Sequence, residues 1–76
     1  RVEDPALRLR TLENAIAAQK SVEFNYAPVP GRLRIQPLHL LRNRDPMKLI
    51  AVDLASGHRN EYLLDQIQAL RVEEAA

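Results

Sequence analysis

Cysteine is absent from these 76 residues, so neither a disulfide framework nor a thiolate metal site is available. A small domain without disulfides suits a reducing compartment, and a cytoplasmic location is the expectation. Glycine occurs only at Gly31 and Gly57, too sparsely for a glycine-rich phosphate loop. The serines, Ser21 and Ser56, fall at a strand start and a turn, with no nucleophile elbow around either. His39 and His58 have no second histidine at a metal-ligand spacing. Asp53 and Asp65 are the one carboxylate pair to consider, and at strand ends they read as turn formers. No apolar run approaches the ~20 residues of a membrane-spanning helix, and no secretory signal is visible. These absences leave no inventory for an enzyme and no cofactor site.

Tryptophan is also missing, and Phe24, Tyr26 and Tyr62 are the only aromatic residues. What is present is a pattern of alternation. The stretch 3–20, EDPALRLRTLENAIAAQK, reads as the one substantial helix, over about 5–19. Asp4 is the N-cap, Pro5 stands where no amide is needed, and Leu9, Leu12 and Ile16 repeat at helical spacing, with Ala6 and Ala15 near that stripe. Fraying is expected near Lys20-Ser21. From there Val22, Phe24 and Tyr26 alternate with Glu23 and Asn25 as a half-buried strand. The segment PVPG (28–31) breaks the ladder, and RLRIQPLHLL (32–41) resumes it, Leu33 and Ile35 inward, Arg32, Arg34 and Gln36 outward. Pro37 predicts a bulge, bend or edge position, and His39 an outward polar residue.

After the loop RNRDP (42–46), MKLIAVDL (47–54) is apolar on both faces, as a central strand is. A turn around Ser56-Gly57 leads to RNEYLL (59–64), a tight corner at Asp65 and a final strand. One helix and five short strands imply a mainly β, α+β domain. A closed or nearly closed barrel would remove exposed strand edges, with the helix plugging or covering one side. The expected organisation is a single domain over 1–76, barrel about 21–73, excised from something larger.

Net charge is +1, which alone indicates no partner. Residues 32–59, however, carry Arg32, Arg34, Arg42, Arg44, Lys48 and Arg59 against Asp45 and Asp53, a local balance of +4. Residues 60–76 carry Arg71 against Glu61, Asp65, Glu73 and Glu74, a balance of −3. A central positive field attracts phosphates, and cations with aromatic rings on a small barrel suit single-stranded nucleic acid. Tyr26 also continues the Val22-Phe24 face, so it reads first as core with a polar tip and only second as a stacking ring.

Laid in order, LENAIAAQKSVEFNY (12–26), GRLRIQPLHLLR (31–42), MKLIAVD (47–53) and YLLDQI (62–67) resemble the WYL domain, a bacterial module with a helix before an SH3-like or Sm-like barrel. Of the name-giving Trp-Tyr-Leu triplet only Leu49 remains, with Met47 and Lys48 in the first two places. Gln66 stands where an arginine usually precedes Ile67. Asn60 stands at another arginine position, with Arg59 one place off. The resemblance implies a transcription-regulator module whose polar and basic positions line a groove for a nucleic-acid strand or nucleotide-like effector. Tyr26 and Arg34 inherit that role directly, while Lys48, Arg59, Asn60 and Gln66 inherit the place with altered chemistry. Arg32 joins them from the charge pattern. Loss of a guanidinium at Gln66 removes a bidentate fork for anions. The alternative is a protein–protein interaction or homodimerisation domain whose groove has degenerated.

Overall fold

The computed structural model describes residues 4–73. Helix α1 spans Pro5–Ala18, and Asp4 caps it by accepting from the Ala6 amide at 3.0 Å. Its other end is sharper than the fraying expected from the sequence. Gln19 turns left-handed at φ +58°, which lets the Gln19 and Lys20 amides satisfy the Ile16 and Ala15 carbonyls. Leu12 and Ala15 are buried, Leu9 and Ile16 pack beside them, but Ala6 lies off the stripe and is exposed.

Five strands follow: β1 Val22–Tyr26, β2 Arg32–Leu41, β3 Lys48–Asp53, β4 Arg59–Leu63 and β5 Ile67–Val72. A short 3-10 turn, Leu64–Gln66, makes the corner expected at Asp65. The strands form one antiparallel sheet in the order β4-β3-β2-β1-β5. Strand β3 lies between β2 and β4, as its two apolar faces require. Pro37 sits at a register shift between β2 and β3, the bulge its missing amide predicts.

The sheet is strongly curled. The Leu63 amide donates to the Tyr26 hydroxyl at 2.8 Å, joining β4 to β1. Three sheet positions separate those strands, and a flat sheet would hold them roughly 14 Å apart. Phe24, Tyr26 and Tyr62 fill the concavity in edge-to-face contact, with centroids 5.2–6.1 Å apart. No ladder pairs β4 with β5 among the described residues; the 3-10 turn links them in sequence, and the curled sheet stays open along that seam. Its interior is built on Phe24, Leu12, Ile35, Leu49, Ile67 and Val22, all fully buried. Helix α1 packs on β2 and β5, and Arg8 donates to the Leu64 carbonyl at 2.8 Å.

Candidate functional site

Strand register decides which side chains share a surface, because directly opposed residues point the same way. Glu23 opposes Arg34 and Arg71, and Asn25 opposes Arg32 and Gln68. Arg32, Arg34 and Arg71 therefore stand together on the outer face of β2, β1 and β5. Each meets a carboxylate. Glu23 lies 3.4 Å from the Arg32 guanidinium and 2.8 Å from that of Arg71. Arg34 contacts Glu73 at 3.0 Å through Nε. Arg32 further donates to the Ala69 carbonyl at 2.8 Å, where a bulge in β5 gives Ala69 a φ of +53°.

Glu73 also accepts from the Ser21 hydroxyl at 2.8 Å. That bond, followed by the one from Arg34, holds its carboxyl below the ordinary value of 4.5, with desolvation acting in the opposite direction. The Arg34 side chain is 61% exposed, so its bridge is screened by solvent.

Lys48 and Arg59 occupy the outer face of a different strand pair. Lys48 contacts Glu61 at 3.3 Å, while Arg59 opposes Val52, four residues farther along β3. At ~3.3 Å per residue they stand about 13 Å apart. Arg42, from the loop after β2, bridges back to Glu13 on α1. The positive excess of the middle sequence is thus met in space by acids from α1, β1, β4 and the segment after β5. The expected continuous basic groove is not assembled. Arg32 and Arg34 are brought together, Lys48 and Arg59 lie elsewhere, and Gln66 is half-buried in the 3-10 turn with its carbonyl accepting from Ala27.

Tyr26 and Asn60 belong to neither outer patch. Both lie on the inner face, where the sheet opens into a surface pocket of about 310 Å³. Tyr26, Leu33 and Tyr62 line it from the strands, and Val29 and Pro30 from the turn after β1. Its polar rim is Asn60, Glu61 and Asp53. The Asn60 side-chain amide approaches the Tyr62 hydroxyl at 3.4 Å. Asp53 opposes buried Ile35, so its carboxylate belongs to the inner face, and Oδ1 accepts from the Ala55 amide at 2.9 Å. Its role as a turn former matches the sequence reading; its place at the pocket does not follow from sequence. The counter-ions Glu23, Glu61 and Glu73 were likewise outside the expected site. One signal existed for Glu23: folding the 22–35 segment about its PVPG turn puts it opposite Arg34.

Comparison with known proteins gives a consistent picture. A solved structure, proteasome accessory factor B/C (PafBC) of Arthrobacter aurescens, superposes with a TM-score of 0.83 over all of this chain at 15% identity. This chain corresponds to 12% of the length of that one, and the likeness establishes a shared fold. No curated protein matches the sequence. The family model described as WYL domain matches residues 8–72, most of the helix and all five strands. The chain belongs to the WYL domain family.

Proposed function

We propose that this domain is a ligand-sensing regulatory module of a bacterial transcription regulator, acting in the cytoplasm without catalysis of its own. The observation that carries the proposal is the grouping of Arg32, Arg34 and Arg71 on one strand face within a WYL domain. Three guanidiniums at strand spacing suit the phosphates of a nucleic-acid strand or nucleotide-like effector. Binding there exchanges Glu23 and Glu73 for phosphate oxygens, so it is weak and strongly salt-dependent. Lys48 and Arg59 add long-range attraction rather than contacts to the same phosphates. Tyr26 and Asn60, in this reading, belong to a ligand site on the inner side of the sheet, whereas Gln66 stays in the 3-10 turn, apart from that site.

Fluorescence anisotropy with short single-stranded DNA and RNA tests the proposal. Affinity should rise as salt is lowered, and Arg34→Ala should weaken binding to every sequence alike. Absence of binding at low salt, or affinity indifferent to salt, contradicts it.

The same charge pairing favours a second reading, an interaction or homodimerisation domain with a degenerate groove. Four bridged cations, Arg32, Arg34, Arg71 and Lys48, leave little unbalanced charge for an anion. Light scattering across a concentration series separates the two: a strict monomer that binds oligonucleotide removes this reading.

A further inference from the structure

The inner-face pocket differs in character from everything expected of the site. No lysine, arginine or histidine lines it, and its two charged residues, Asp53 and Glu61, are both acidic. Glu61 shares its charge with Lys48, which leaves Asp53 as the principal charge at the rim. An ionised carboxylate offers about four acceptor positions, and one hydrogen bond to Asp53 comes from the Ala55 amide. Tyr26 and Tyr62 line the same pocket; Tyr62 is buried, so half-buried Tyr26 offers the accessible ring, and aromatic rings attract cations. Leu33 and Val29 supply an apolar wall, and Val29 is 42% exposed. The volume, about 310 Å³, is at the small end of the range for organic ligands. An anion entering here would meet Asp53 with like charge.

We infer that this pocket binds a small organic cation, a primary ammonium on an apolar or aromatic body, with Asp53 as its counter-ion. The ammonium takes its place between the Asp53 carboxylate and the tyrosines, and the body lies against Leu33 and Val29. The site is separate from the arginine face, so the inference stands independently of phosphate binding.

The test uses three ligands of one shape, benzylamine, benzyl alcohol and benzoate, titrated into the isotopically labelled chain and followed by NMR amide shifts. Benzylamine should produce saturable shifts at Asp53, Asn60, Tyr62 and Val29. Benzyl alcohol should bind at least about tenfold more weakly, the ratio expected of one charge-assisted contact, and benzoate should leave these signals unmoved. Asp53→Asn keeps an Oδ1 acceptor for Ala55 while removing the charge, and should lose at least about tenfold in benzylamine affinity. Should that variant fail to fold, the ranking of the three ligands on the parent chain still decides. Equal or tighter binding of benzoate or the alcohol overturns the inference. So does undiminished affinity in Asp53→Asn, or no saturable shift at millimolar benzylamine.

Discussion

On the outer face of β1, β2 and β5, arginines and carboxylates alternate until each charge has a partner; on the inner face, Asp53 shares a pocket with tyrosines and aliphatic side chains and no cation lines it. The linear sequence suggests a different division. Its basic middle and acidic end look like separate fields, and antiparallel pairing folds one onto the other. Local charge balance along a chain is therefore a poor guide to the surface of a sheet, whose strands bring distant segments within one side chain's reach.

The most drastic way to break this contrast is to remove the core that holds the two faces apart. Phe24 is fully buried and touches both tyrosine rings edge-to-face. Phe24→Ala should cost about 3–5 kcal/mol, comparable to the whole stability of a domain this small. Circular dichroism in urea should then find the chain largely unfolded at room temperature.

A smaller effect sharpens the inner face alone. In Tyr26→Phe the half-buried Leu63 amide loses its acceptor while the ring contacts persist. Urea unfolding should register a loss of about 1–3 kcal/mol, with no change in the outer-face ion pairs. A neutral outcome would mean that closure of the sheet rests on packing alone.

The gentlest probe addresses the outer face through pH. Glu73 is held below its ordinary value of 4.5 by the Ser21 hydroxyl and Arg34. The folded state therefore favours its charged form, and the stability it contributes is fully present above the unfolded value. That contribution disappears as pH falls through the lower folded value. Glu73→Gln should be less stable than the parent at pH 7, and the difference should shrink on acidification below about 4.5. A difference that does not vary with pH would place the effect outside ionisation.

Much of this fold was legible beforehand, for reasons that are local. Asp4-Pro5 marks the helix start because capping needs only neighbouring atoms, and Val22-Phe24-Tyr26 marks a strand because the pleat has period two. Pro37 betrays its bulge by lacking an amide, and Gly57, at φ +78°, confirms the turn read around Ser56-Gly57. What escaped depends on distance. Gln19 and Ala69 adopt positive φ without the glycine that usually signals it, because surrounding hydrogen bonds and packing determine their backbone. The contact of β1 with β4 across the curl has no sequence neighbourhood at all. For the same reason Arg32 and Arg34 were recognisable as a pair on one strand, and Glu23 only through the hairpin that sets it opposite Arg34, whereas Glu73, a distant partner, was not. The pocket around Asp53 gathers side chains from four strands and a turn, so no linear motif announces it.

The central claim is that carboxylates on the outer face restrain its arginines. Replacing both acids, in Glu23→Gln with Glu73→Gln, tests it most directly through oligonucleotide anisotropy at low salt. Release of Arg32, Arg34 and Arg71 should tighten binding several-fold relative to the parent and steepen its dependence on salt. Unchanged or weaker binding by a folded double variant would contradict the claim.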